Sequence, residues 1–363
     1  MTIETIGSFL PDESLINARR DFKRGVIDRQ CITSIEDLAV RDIVERQLSC
    51  GVPFVTSGEL RRKHWAKDFW FGLNGVTCEN VSAGHIYQSI DVATDNLHIT
   101  GRIGFNPAHT FFDDFCFLHD VVAGRAKCRQ TLPSPANLLL EIYALSGGRP
   151  ELLYPAPIHI LVRDIADAYR YTALRLYELG CDSLQYDDTA LGLMCDDNYT
   201  KRLLQGGVDL IRLHGELIEV INKSLEDLPD GMEKSIYISG GDTIVPEWEH
   251  IDYPDNIIPK ALSSLDVDKF FLPFDLGNDY AIQVLRHIPQ GKSVVLGLAD
   301  AHSPFCENPD SLAAMARMVE RFVPLSMLAL SPRTGFKLSS YNQRALLYED
   351  QWRKLTELSS ISL

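Results

Sequence analysis

Eight short apolar runs recur along this chain, at residues 5–9, 53–56, 128–132, 183–186, 235–239, 270–274, 293–298 and 327–330, each followed by a stretch with helical patterning. Runs this short, each leading into a helical stretch, read as buried strands of a parallel sheet covered by helices. Strand then helix, eight times over, predicts a (β/α)8 TIM barrel forming one domain over residues 1–363. A doubly wound α/β sheet is the competing arrangement, since the same alternation serves both. The unit around residue 180 shows the logic. Ile165, Ala168, Tyr169, Leu174 and Leu176 repeat at near-helical spacing over 163–179, Gly180 supplies a left-handed stop, and the next strand ends in Asp187 and Asp188.

Other helices are expected at 14–24, from a Ser34–Asp37 capping box onward, and at 201–223, 257–264, 279–287, 308–322 and 342–357. One stretch breaks the repeat. Residues 80–105 alternate apolar and polar side chains (Ile86, Val92, Leu97, Ile99) about a Thr94-Asp95-Asn96 turn, which predicts a β-hairpin inserted after the second strand unit. A net charge of −15 argues against an electrostatic grip on nucleic acid or an anionic membrane. No apolar run is long enough to span a bilayer and the first residues lack a leader pattern, so a cytoplasmic protein is expected. Eight scattered cysteines without a CxxC pair speak against a disulfide framework or a zinc ribbon. A small-molecule substrate is the partner these features leave, and a homo-oligomer is compatible with them.

In a barrel the chemistry sits just after each strand. Those positions hold Ser8, Glu59, Asp187, Asp188, Tyr237, Ser239, His302 and Thr334, with Arg61 and Trp65 on the loop after the second strand. Acids crowded or buried together have raised pKa values, and a histidine titrates near neutrality, so the set suits proton transfer. Arg61, Arg62 or Arg333 can hold a carboxylate in bidentate fashion. Each residue also has a plain structural reading. Asp187 and Asp188 can cap the next helix. Glu59 can pair with Arg61 or Arg62, Tyr237 and Ser239 can fill space, His302 can be a loop residue, and Trp65, Phe69, Trp70 and Phe71 can be core.

Several segments together resemble a known family: Ile6-Gly7-Ser8-Phe9, Gly58-Glu59, Leu184-Gln185-Tyr186-Asp187-Asp188-Thr189-Ala190, Asp300-Ala301-His302-Ser303-Pro304 and Ser331-Pro332-Arg333-Thr334-Gly335-Phe336-Lys337. In this order they are similar to the catalytic half of cobalamin-independent methionine synthase, and closer still to its short single-barrel relatives. The resemblance implies a barrel in which Ser8, Glu59 and Asp187 cradle the amino-acid end of homocysteine and His302 acts as proton donor. The family's zinc is held by a His-x-Cys pair after the fifth strand, a Glu after the sixth and a Cys after the eighth. Here those places read Tyr237-Ile238-Ser239, Pro273 and Thr334. Proline and neutral hydroxyls do not replace thiolate, imidazole and carboxylate on zinc, so no metal and no cofactor is expected. The wider superfamily includes uroporphyrinogen decarboxylase, a barrel that works without either.

The expectation is therefore a metal-free lyase, isomerase, cyclase or decarboxylase acting on a small carboxylate or amino-acid-derived molecule. In it His302, Asp187 and Tyr237 would be catalytic, while Ser8, Glu59, Arg61, Trp65, Asp188, Ser239 and Thr334 would bind substrate. An S-methyltransferase with an altered metal site and a non-catalytic small-molecule binder are the alternatives.

Overall fold

The computed structural model describes residues 2–80, 95–239, 256–276, 281–337 and 346–361. Its elements run β1 (Thr2–Ile3), α1 (Glu13–Lys23), α2 (Arg29–Ser49), β2 (Phe54–Val55), α3 (Lys67–Trp70), β3 (Asn74–Asn80), β4 (Asp95–Gly104), α4 (Thr110–Val122) and β5 (Lys127–Pro133). The chain continues through α5 (Pro135–Leu145), α6 (Ile158–Glu178), β6 (Ser183–Asp188), α7 (Ala190–Leu193), α8 (Asp197–Gln205), α9 (Leu210–Leu225) and β7 (Glu233–Ile238). It ends with α10 (Ile257–Ser264), β8 (Lys269–Pro273), β9 (Ser293–Ala299), α11 (Pro309–Val319), β10 (Leu328–Pro332) and α12 (Tyr348–Ser359).

Eight strands pair in parallel in the order β1-β10-β9-β8-β7-β6-β5-β2, the curled sheet of a (β/α)8 barrel with helices on its outer face. Its two end strands meet at the rim, where the Phe9 amide donates to the Gly58 carbonyl at 3.0 Å and the Thr56 hydroxyl to the Gly7 carbonyl at 2.7 Å. Outside the sheet, apolar side chains of strands and helices merge into one large core. Inside it, Ile6, Tyr237, Phe271, Val295 and Ala329 pack as a separate small cluster.

Below that cluster four charges fill the N-terminal end of the barrel. Arg129 Nη2 lies 2.6 Å from Glu4 and 3.1 Å from Glu233, and Lys269 Nζ lies 2.6 and 2.7 Å from the same two carboxylates. Two acids and two bases cancel, which is what makes their burial tolerable. In a (β/α)8 barrel the chemistry sits at the opposite end, just after the strands.

Several expectations change in detail. The first strand is Thr2–Ile3, because the chain turns through Gly7 at a φ of 127° on its way to the rim. The second helix opens earlier than Ser34: Asp28 accepts the Cys31 amide as its cap, and the Ser34 hydroxyl donates instead to Gln30 within the helix. The stretch 201–223 is two helices, α8 and α9, broken where Gly207 takes a φ of 83° and Asp209 caps the second. Residues Ala281–His287 form a 3-10 helix, and the last helix begins at Tyr348, residues 338–345 lying outside the described set. The hairpin pairs β3 with β4 in antiparallel register. Asp95 and Asn96 already belong to β4, opposite Asn80 and Glu79, and so are not the expected turn; Thr94 and the expected arm around Ile86 and Val92 lie outside the described residues.

Candidate active site

Gly58 and Glu59 follow β2 with φ of 67° and 55°. A left-handed glutamate is strained, and here the turn delivers its carboxylate inward: Glu59 is 5% exposed. Its Oε1 accepts the Thr131 hydroxyl at 2.7 Å and lies 3.1 Å from Arg62 Nη1. Arg62 is equally buried, donates to the Thr131 carbonyl at 2.6 Å, and sits over the Phe111 ring. Thr131 is the inward residue of β5 at this level, and Gly7 passes so close that a Cβ there would lie 2.5 Å from its methyl group.

Asp187 comes from β6 by strand alternation. Gln185 and Asp187 face into the barrel, while Tyr186 faces the helices and bonds Ser224 of α9. The Gln185 amide donates to the Ile6 carbonyl at 2.6 Å and to Asp187 Oδ1 at 2.7 Å. Burial holds the Asp187 carboxyl well above the usual carboxylate range, and the Glu59 charge adds to this; Gln185, Arg62 and Arg129 pull the other way. Asp187 and Glu59 are thus two buried acids that interact electrostatically, and burial favours the protonated form of Asp187. Tyr237 is the register neighbour of Asp187 on β7. Its hydroxyl donates to the Arg333 carbonyl at 2.9 Å, and burial pushes the phenol above its ordinary range, Ser239 opposing and Asp187 reinforcing.

On the far side of the mouth, His302 Nδ1 faces Asp300 Oδ1 at 3.2 Å, and the His302 amide donates to the same oxygen at 2.8 Å. These contacts hold Asp300 down at about 2. Arg333 pairs with Asp275, and the Thr334 hydroxyl donates to the Gly335 carbonyl at 2.9 Å. Ser8 lies against this loop: a Cβ on Gly335 would sit 1.9 Å from the Ser8 hydroxyl, so only glycine permits the approach. The Ser8 carbonyl accepts the Phe336 amide at 2.9 Å.

Three expected site residues are placed elsewhere. Asp188 faces away from Asp187, is fully buried, and accepts the Leu191 amide at 2.7 Å at the start of α7; burial pushes it up to about 6. Arg61 turns outward to Asp37 of α2 at 2.5 Å and Asp114 of α4 at 3.4 Å, over the Phe117 ring. Trp65 is half-buried against the core and stacked with His64, while Phe69 and Trp70 are core outright. Arg62, one of the arginines considered for a carboxylate, is the one that pairs with Glu59, while Thr131 and Gln185 are neighbours of the two acids to which motif reading gave no role. Lys337 is another: its Nζ donates to the Arg62 carbonyl at 2.6 Å and the Glu59 carbonyl at 3.4 Å, pinning the strained turn.

Fold and site define a parallel (β/α)8 barrel with a buried acid pair at the C-terminal ends of its strands. No protein-family model matches the chain. It is 28% identical over 360 residues to the uncharacterized protein YxjG of Bacillus subtilis, covering 99% of this chain and 93% of that one. A 5-methyltetrahydropteroyltriglutamate–homocysteine methyltransferase of Buchnera aphidicola is 22% identical over 96% of this chain, which spans only 42% of that protein. Among solved structures, a Listeria monocytogenes protein described as a vitamin-B12-independent methionine synthase superposes with a TM-score of 0.75 at 27% identity, covering 99% and 98% of the two chains. The structural neighbours of this chain are cobalamin-independent methionine synthase-like proteins, in keeping with the resemblance drawn from the motifs.

Proposed function

We propose that this methionine-synthase-like barrel carries out metal-free acid–base chemistry on a small carboxylate or amino-acid-derived metabolite. The observation that carries the reading is the pair of buried acids Glu59 and Asp187, where burial first and the Glu59 charge second raise the proton affinity of Asp187. Such a pair can hold a cationic group of a substrate through Glu59 and hand over or take up a proton through Asp187. His302, its ring turned by Asp300, is the second proton carrier. Tyr237, Ser239 and Thr334 stand at positions that the family resemblance assigns to metal ligands.

The donor chemistry there supports the absence of a zinc role. Pro273 offers no side-chain donor, and the Tyr237 and Thr334 hydroxyls are spent on backbone carbonyls. Zinc would need thiolate, imidazole or carboxylate donors at these positions. An S-methyltransferase reading draws its support from the relatives instead, through the methyltransferase match.

The test works on a mixture, so the substrate need not be identified first. Purified protein is incubated in heavy water with a pool of small amino and keto acids, and mass spectrometry follows deuterium entering at carbon. The expected result is exchange into at least one compound, lost in His302→Gln and in Asp187→Asn. No exchange and no product anywhere in the pool would overturn the reading. Methyl transfer from added methyltetrahydrofolate to a thiol would establish the other.

A further inference from the structure

The C-terminal helix reaches the loop that carries His302, at the end of a chain of contacts no motif marks. Lys354 of α12 is wholly buried at its side chain, and its Nζ donates to the Phe305 carbonyl and lies 3.4 Å from both oxygens of Glu307. Glu307 Oε1 in turn accepts the Asp300 amide at 2.7 Å. Asp300 Oδ1 accepts the His302 amide and faces the His302 ring nitrogen. The neighbouring Arg353 donates to the Pro304 carbonyl at 2.5 Å, so α12 grips this loop at three carbonyl or carboxylate points. A buried lysine is costly unless its charge is matched, and Glu307 is the match.

We infer that Lys354 and Glu307 are positioning residues, which hold Asp300 so that its carboxylate fixes the tautomer and direction of the His302 ring. An ionised carboxylate only accepts, so the nitrogen facing it, Nδ1, carries the hydrogen and Nε2 is left as the acceptor. The low proton affinity of Asp300 agrees with this assignment. Without Lys354, Glu307 becomes an unmatched buried charge and turns toward water, the Asp300 amide loses its acceptor, and the ring is released. The role assigned here rests on the proton-transfer reading of His302, but the geometry does not.

Long-range proton–nitrogen correlation spectra of the histidine rings test it, the His302 signals being assigned by their loss in His302→Gln. In the unaltered chain His302 is expected in the Nδ1–H tautomer alone. Lys354→Met and Glu307→Leu, the second removing the acceptor of the Asp300 amide, are each expected to give a mixture in which the Nε2–H form rises several-fold, and Lys354→Arg, which keeps charge and donors, to restore the single form. Thermal unfolding confirms that each variant is folded, and Glu307→Leu covers the case in which Lys354→Met is not. An unchanged tautomer in either folded variant overturns the inference. Should the tautomer shift as expected while His302→Gln retains deuterium exchange, the positioning chain stands and the catalytic reading of His302 falls.

Discussion

Replacing Asp188 with Asn separates the frame of the site from its chemistry. The Asp188 carboxyl is fully buried and pushed up to about 6 from an ordinary value of 3.8, with burial as the main cause. A raised folded-state value means that the group's contribution to stability is fully present below the unfolded value and is lost as pH rises through the folded one. At 1.36 kcal/mol per unit, the loss amounts to about 3 kcal/mol between roughly pH 4 and pH 7. Asparagine has nothing to ionise, and its amide oxygen can still accept the Leu191 amide that Asp188 now accepts at 2.7 Å. Equilibrium urea unfolding of both proteins, followed by circular dichroism at several pH values, measures the difference directly. Asp188→Asn should match the unaltered chain near pH 4 and exceed it by about 3 kcal/mol at neutrality, with deuterium-exchange activity retained. A stability difference that does not vary with pH, or loss of activity in a folded variant, would refute the assignment of Asp188 to the frame.

Two further outcomes follow from the Glu59 turn. Thr131→Val removes the hydroxyl that Glu59 accepts at 2.7 Å, and one lost hydrogen bond to a charged group, about 1.5 kcal/mol or more, should weaken substrate binding roughly tenfold in titration calorimetry while the protein stays folded. Lys337 is pushed down to about 8 by burial, against 10.5 in the unfolded chain, so the unaltered protein gains stability from this group as pH rises from about 8 to about 10.5. Lys337→Met lacks that gain, and its stability relative to the unaltered chain should fall across the same window in urea titrations.

The barrel itself was legible because a parallel sheet buries both faces of its strands, and continuous apolar runs such as Phe270–Phe274 have no other soluble use. Helix ends were less so. The Ser34–Asp37 pattern looks like a cap, but a stronger signal, Asp28 three residues before Cys31, wins once the helix packs at that point. The site divides along the same line. Glu59, Asp187, Tyr237 and His302 stand at strand ends, where any barrel reading looks first. Which of two neighbours faces inward depends on register and turn geometry, so Asp187 could not be told from Asp188, nor Arg62 from Arg61. Thr131 and Gln185 sit mid-strand, and a polar residue inside an apolar run is a signal that their neighbours partly hid. The charged floor joins Glu4 to Lys269, 265 residues apart, and only the closed topology brings them together.

The account stands or falls on the protonation of one carboxyl. Carbon-13 spectra of protein labelled at aspartate side-chain carboxyls, recorded at neutral pH and compared with Asp187→Asn, read it directly. A resonance in the protonated range that disappears in the variant is the predicted result. If the Asp187 resonance lies in the ionised range at neutrality, the acid pair has no proton to give and the proposed chemistry is contradicted.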